Sequence, residues 1–497
     1  MSKFQFDAEY DLVVIGGGGS GKMAAYIGAK EGGLKVALLE KMEETGGTSR
    51  YAEGQTAFNS SEQIARKVPP QHTGTAFDHY PTYAEGFAAY MDYSHQRANP
   101  DVVRMQLYNT AETVDIMKGL GIQYTDVMLY AFYQKNELNT FHRPEGLGEH
   151  MQEVLLRATV NAGVDVFTST PAKKILMEDG KVVGVEALDR KSGTKMSVGA
   201  KAVIIASGGF GNNPEMVRRY SWQYRNADFT YQFTPTENTG DGVNMAVHAG
   251  ADLENIGPLM NSPCARGKEP NSHVNGGASQ PNLWVNIDGL RFCNEEVAFS
   301  FMNAGSSIIK QPECTAYAIL DSEQVRYYME EGSDIGLGDF IEYKQKLTRL
   351  LTELEQDVAD GLAWKGDTAE ELAEAIGGID KEQFVKSFNQ YNEFCANGED
   401  PLFFKQSDWL RPMRKAPFYA VQMTSSVLVS CGGIRVNGNL QVTDKNYKPI
   451  PGLYAVGMDA SGLYGDAYNL DVPGTANGFA HASGRVAARH AIATIKG

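Results

Sequence analysis

Residues 11–41 read DLVVIGGGGSGKMAAYIGAKEGGLKVALLEK, and no other stretch restricts the fold of this chain so strongly. The branched apolar run "DLVVI" predicts a buried parallel strand, "KMAAYIGAKEG" a helix, and "KVALLE" a second strand that ends at Glu40. Between the first strand and the helix stand four consecutive glycines, and the spacing Gly16-x-Gly18-x-x-Gly21 runs through them. In such a βαβ unit the first glycine permits the tight turn. The second lets the backbone approach a pyrophosphate, and the third lets helix pack on strand. The helix N-terminus then offers its partial positive charge to phosphates, and a carboxylate at Glu40 can accept ribose hydroxyls. GxGxxG alone recurs by chance in Gly-rich loops. Its place between a strand and a helix makes it a dinucleotide signal, though the spacing does not separate NAD from FAD.

The 497 residues suffice for two or more domains with full cores. A net charge of −16 and a pI of about 5.1 repel a nucleic-acid backbone, and the acidity reads as solubility. Five cysteines (Cys264, Cys293, Cys314, Cys395, Cys431) lack CxxC spacing. That speaks against a metal cluster, c-type haem attachment or a disulfide scaffold, and suits a reducing cytoplasm. The N-terminus "MSKFQFDAEYD" has no apolar h-region, and no window reaches the ~18 apolar residues of a membrane span. The expectations are a cytoplasmic protein with no metal and no nucleic-acid or membrane partner.

Further strands are expected at "VDVFTST", "KVVGVEAL" and "KAVIIASGGFG". From about Gly338 to Asn397 the pattern turns helical, with Leu347, Leu350, Leu351 and Leu354 expected on one face of "FIEYKQKLTRLLTELEQDVADG". Strand signals return in "APFYAVQ", "GGIRVNGNLQVTD" and "GLYAVG", and a small-residue helix, "GTANGFAHASGRVAARHAIATI", closes the chain. This order predicts an α/β protein whose dinucleotide domain is built from both ends of the chain, with a mixed domain inserted between them.

The segment "EKMEETGGTSRYAEGQTAF" resembles the "EK…GG.S…GG" segment of the fumarate reductase/succinate dehydrogenase flavoprotein family, which includes the ketosteroid dehydrogenases. "VIIASGGFGNNPEM", "NTGDGVNMAVHAGADL", "LWVNIDGLRFCNEE", "GGIRVNGNLQVTD" and "PIPGLYAVGMDASG" follow in family order, so the resemblance runs from Tyr10 to His490. It implies a Rossmann-like FAD-binding domain from residues 1–250 and 413–497, with an inserted α+β capping domain at 251–412. By position it implies that Gly16, Gly18 and Gly21 hold the pyrophosphate and Glu40 the ribose. Thr48, Ser49, Ala52 and Gly54 would line the flavin, and Ala172 would back the adenine. Asp241 would approach the flavin, and Thr475, Ala476 and Asn477 would meet its pyrimidine edge. Lys41, Gly47, Ala206 and Asp459 complete the implied set. No His lies between Gly46 and Gly54, so FAD is expected to be noncovalent. Glu53 and Gln55 stand where the family has small residues. Met458 replaces a polar residue, for which Asp459 is expected to compensate.

Fumarate reductases of this family clamp two carboxylates with His and Arg. The corresponding positions here carry Phe299, Met260 or Asn261, Val429 to Cys431, and Asp471. Four missing charge-assisted donors, each worth roughly 1.5–3 kcal/mol, make a dicarboxylate a poor substrate. The tyrosine that ketosteroid dehydrogenases place before a C-terminal "PG" is Val472 here, but Tyr464 and Tyr468 lie just upstream. Tyr468, Tyr464 and Asp471 are therefore candidate catalytic groups. So is Arg291, which is alternatively a structural partner of Glu295. The aromatic stretches "FDHYPTYAEGFAAYMDYSHQRANP" and "VMLYAFYQKNELNTFH" suit either a flat ring substrate or helix packing. The expected activity is hydride transfer from flavin N5 to a cyclic, non-dicarboxylate substrate such as an isoflavonoid-type polyphenol. The electrons would come from an external donor, either NAD(P)H or a redox partner protein. The alternatives are a 3-ketosteroid dehydrogenase or enone reductase, and a flavin electron-transfer protein.

Overall fold

The computed structural model describes residues 4–68, 79–130, 137–225, 230–231, 236–338 and 340–497. Strand Ala8–Ile15 pairs in parallel with Val36–Leu39 on one side and Lys195–Ile205 on the other. Leu12, Val13 and Val14 are fully buried, because a parallel strand covered on both faces carries a continuous apolar run rather than alternation. Lys195–Ile205 also pairs in parallel with Pro449–Ala455, so a strand from the end of the chain completes the sheet that the first strand begins. Asp165–Phe167 extends the other edge beyond Val36–Leu39. Helix Gly19–Lys30 packs on the C-terminal helix Thr475–Lys496. A Cβ at Gly484 would overlap the Ser20 carbonyl, which is why that helix is rich in small residues.

A second sheet gathers Leu259–Ala265, Leu283–Asn286, Ala316–Asp321 and Ala363–Gly366 around the long strand Phe418–Ser430. That strand lies C-terminal to residue 412, the boundary expected for the capping segment, yet its neighbours belong to this second sheet. Its far end reaches the turn that follows Lys195–Ile205, where Ser430 Oγ accepts from the Phe210 N–H at 2.9 Å. The expected helix near 340–360 is shorter, at Leu350–Ala359. Leu350 and Leu354 are buried on it, Leu347 is buried just before it, and Leu351 is exposed. The helix starts only at Leu350, so Leu347 does not extend its stripe, and Leu351, about 100° round from Leu350, falls at the edge of the buried face. Among the described residues no helix is long and apolar enough to cross a membrane.

Candidate active site

Two adjoining clefts meet at Thr48. The first, of about 820 Å³, opens over the glycine turn. Gly16 has φ +108°, and a Cβ on it would overlap the Ala206 carbonyl. Gly21 does not face the cleft; a Cβ there would overlap the Gly16 carbonyl, so this glycine lets the helix lie on the turn. Gly18 is different. Its φ is −75°, and the nearest atom to a Cβ would be the Gly46 carbonyl oxygen at 3.9 Å, which leaves open space in front. Glu40 is buried and accepts from the Gly17 and Met42 N–H groups at 2.7 and 2.8 Å. One donor per oxygen leaves lone pairs for a further hydroxyl. Lys41 Nζ donates to Thr239 Oγ1 at 2.8 Å and Asp241 Oδ2 at 3.0 Å on the rim. Gly47, Thr48, Ser49, Ala172, Ala206 and Met458 line the same cleft. Thr48 Oγ1 accepts from Asn238 Nδ2 at 2.6 Å, and Ser49 Oγ accepts from the Gly19 N–H at 3.3 Å.

Asp459 does not compensate for Met458. It is wholly buried, and its carboxylate accepts from Ser207 Oγ at 3.0 Å and from the Gly208 and Gly209 N–H groups at 2.9 and 3.1 Å. Its role is to shape the turn after Lys195–Ile205.

The second cleft spans about 1060 Å³, part of it open to solvent. Ala52, Gly54, Gly474, Ala476 and Asn477 form one side, and Tyr51, Phe141, Phe301, Phe340 and Leu428 supply much of the rest. Asn477 Nδ2 donates to the Gly54 carbonyl at 3.1 Å, while its buried Oδ1 has no partner among the described residues. The C-terminal helix begins at Thr475, so its N-terminus faces this pocket. Gln55, at a position where small residues were expected, is buried; its Oε1 meets His481 Nδ1 at 2.7 Å and its Nε2 donates to Tyr124 Oη at 2.6 Å. Burial holds the His481 pKa down at about 3, so the imidazole is a neutral partner.

Of the four candidate catalytic groups, only Tyr468 lines the pocket. Its Oη accepts from the Ala476 N–H at 3.3 Å, which leaves its own proton to be donated. Burial pushes the phenol well above its ordinary pKa and keeps it protonated. Tyr464 stacks behind it, with ring centroids 5.3 Å apart, and shares Thr475 Oγ1 with Tyr90 at 3.3 and 2.8 Å. Tyr464 and Thr475 therefore form a supporting layer rather than pocket wall.

Leu470 and Pro473 reach the pocket but Asp471 does not. Burial raises its carboxyl pKa to about 6. Burial first, and the Asp471 charge second, raise the Tyr93 phenol to about 12. A carboxyl whose folded pKa lies above its unfolded value of 3.8 favours folding less as pH rises from about 4 to 6. Asp471→Asn should accordingly raise the melting temperature at pH 7, with the gain shrinking towards pH 4; a gain equal at both pH values would refute this origin.

Arg291 is a buried structural group rather than a catalytic one. It donates to both Glu295 oxygens at 2.9 Å and to Asp400 Oδ2 at 2.8 Å, while Lys405 Nζ lies 3.2 Å from Glu295. Its place in the "RF.NE" motif gives no hint of Asp400, which is 109 positions away. At the expected clamp positions, Met260 and Val429 line the pocket, Phe299 packs edge-on against Trp409, and Cys431 is buried. From the aromatic stretches, Tyr130 and Phe141 reach the pocket, whereas Tyr90 packs behind Thr475 and Tyr83 against Tyr108. Phe77, Phe132 and Tyr133 lie outside the described residues. Sequence reasoning did not propose Tyr130, Glu53 or Asn238 as site residues; Glu53 was marked only by its departure from a small residue.

Residues 11–471 match the family model described as an FAD binding domain. The chain belongs to this family of FAD-binding oxidoreductases. It is 32% identical to the vinyl phenol reductase of Lactiplantibacillus plantarum, over 97% of this chain and 96% of that one. Among solved structures it is similar to the open conformation of a flavocytochrome c3 fumarate reductase, with 26% identity, a TM-score of 0.73, and coverage of 98% of this chain and 79% of that one. The 3-ketosteroid Δ1-dehydrogenase of Sterolibacterium denitrificans shares the fold at 20% identity and a TM-score of 0.77, covering 98% and 99% of the two chains.

The two adjoining clefts together fit FAD. In the first, Gly18 leaves space for a pyrophosphate at a helix N-terminus and Glu40 keeps acceptor capacity for a ribose; in the second, the orphaned Asn477 Oδ1 offers an acceptor to a ring N–H.

Proposed function

We propose that this flavoprotein reduces a flat, uncharged, ring-containing substrate rather than a dicarboxylate, with FAD held noncovalently and electrons supplied by an external donor such as NAD(P)H or a redox partner protein. The wall of the second cleft carries this reading. Among the described residues that line it there is no Arg, Lys or His, and the one charged side chain is acidic, Glu53. A dicarboxylate entering there would lose its hydration without gaining a cation, a cost of several kcal/mol. Aromatic and aliphatic walls instead match the faces of a ring.

Bound FAD supplies the hydride. Tyr468 holds at Oη the proton that the second substrate carbon requires, and the Ala476 N–H fixes the direction of that hydroxyl. Tyr464, stacked on Tyr468, keeps the ring in place. Tyr468→Phe should leave flavin content and ligand affinity unchanged and lower the rate of substrate reduction by roughly a hundredfold; a full rate in single turnover would remove Tyr468 from this role. A vinyl phenol, the compound class in the name of the relative above, has the required flatness; an isoflavan-type polyphenol offers flat phenolic rings on a puckered heterocycle.

The reading is tested by titrating oxidised holoenzyme with fumarate, a 3-ketosteroid, a vinyl phenol and an isoflavan-type polyphenol, while following flavin absorbance. Saturable perturbation by a phenolic ring compound and none by fumarate is expected. Tighter binding of fumarate would contradict it.

A further inference from the structure

We propose that Glu53, with Tyr130 beside it, selects substrates that carry a phenolic hydroxyl, the carboxylate accepting a hydrogen bond from that hydroxyl. This rests on the reading of the second cleft as a site for an uncharged ring compound and names the group on the ring that is recognised.

Glu53 lies next to Gly54 in the run Tyr51–Gly54 that lines the second cleft. Among the described residues that line the pocket it is the one charged side chain. Tyr130 approaches it from a distant part of the chain. The Tyr130 hydroxyl and both Glu53 carboxylate oxygens lie within 2.6 Å of the point where a Cβ on Gly338 would stand. Gly338, with φ +66°, thus keeps clear the corner into which both polar groups point. Leu337 and Phe340 wall the same side of the pocket.

A carboxylate has about four acceptor sites, and a substrate hydroxyl that donates to one of them adds a short, charge-assisted bond. Tyr130 can give or take a second hydrogen bond at the same oxygen. A methyl ether in place of the hydroxyl offers no proton and leaves the carboxylate facing a methyl group. A ring that carries its own carboxylate brings a second negative charge into the pocket and is rejected. One residue therefore distinguishes a phenol from its ether and from the corresponding acid. A charge-assisted hydrogen bond of this kind corresponds to a preference of about tenfold to a hundredfold.

The experiment uses FAD-loaded wild type, Glu53→Gln and Glu53→Ala, each checked for equal flavin content. The probes are para-vinylphenol, para-vinylanisole and para-hydroxycinnamate. The readouts are kcat/KM for reoxidation of the reduced flavin without oxygen, and Kd for the oxidised enzyme from flavin absorbance. Wild type should prefer the phenol over the anisole by about tenfold or more. Glu53→Ala should erase that preference, chiefly by weakening the phenol, and Glu53→Gln should reduce it. Both variants should gain on hydroxycinnamate. Equal handling of phenol and anisole by wild type, a preference that survives in Glu53→Ala, or tighter binding of a cationic aryl amine than of the phenol would each overturn the assignment to Glu53 while leaving the ring-substrate reading intact. A wild-type enzyme that neither binds nor reduces the phenol and the anisole overturns both.

Discussion

Gly21→Val should yield a protein that binds no flavin and unfolds at lower temperature than the wild type. The first added carbon already overlaps the Gly16 carbonyl. That obstacle is backbone rather than a movable side chain, so the helix must leave the turn. Overpacking of this kind costs about 1–3 kcal/mol or more, and the displaced turn no longer presents its amides. Gly18→Ala separates the two effects. Its φ of −75° suits any residue and its Cβ would enter open space, so the apoprotein should be as stable as wild type while flavin affinity falls. Melting curves of apo- and holoprotein, with flavin released on heating, check both variants. If Gly21→Val keeps a full complement of flavin, the packing role of the third glycine is wrong.

Arg291→Met should produce the largest loss of stability away from the clefts. Arg291 and Lys405 balance Glu295 and Asp400, and the side chains of all four are buried. Removing the arginine leaves two buried carboxylates and one ammonium, a change that costs about 3–5 kcal/mol. Adding Asp400→Asn removes the excess negative charge and should restore part of the loss. Flavin spectrum and ligand binding should be unchanged below the melting transition. Denaturant unfolding of the single and double variants measures this. An activity defect in a stable, flavin-loaded Arg291→Met protein would instead return Arg291 to the chemistry.

The first βαβ unit was legible in the sequence because its information is local. A continuous apolar run, a glycine turn and an acid at the strand end stand within 31 consecutive residues, Asp11 to Lys41. The family motifs carried the assignment of FAD in the same way. The misplacements came where the decisive partner is remote. The apolar pattern of Phe418–Ser430 announces a strand but not which sheet it joins. Arg291 looks reactive until Asp400 is seen beside it. Tyr464 and Tyr468 share one short segment, yet only Tyr468 reaches the pocket, since outside a helix or strand no period tells which ring faces inward. Asp459 neighbours Met458 in sequence but turns to the backbone of Gly208 and Gly209. Glu53 and Tyr130 show the same effect in reverse: Glu53 stands out only by its departure from a small residue and Tyr130 only as one aromatic among many, and they meet at Gly338.

The most direct test of the account is reoxidation of the reduced holoenzyme in the absence of oxygen. The flavin is reduced, and fumarate, urocanate, a 3-ketosteroid, a vinyl phenol and an isoflavan-type polyphenol are added in parallel while oxidised-flavin absorbance is followed. The account predicts rapid return of that absorbance with a phenolic ring compound and no measurable return with fumarate. Rapid reoxidation by fumarate would show that a carboxylate clamp exists in the pocket after all, and would contradict the central claim.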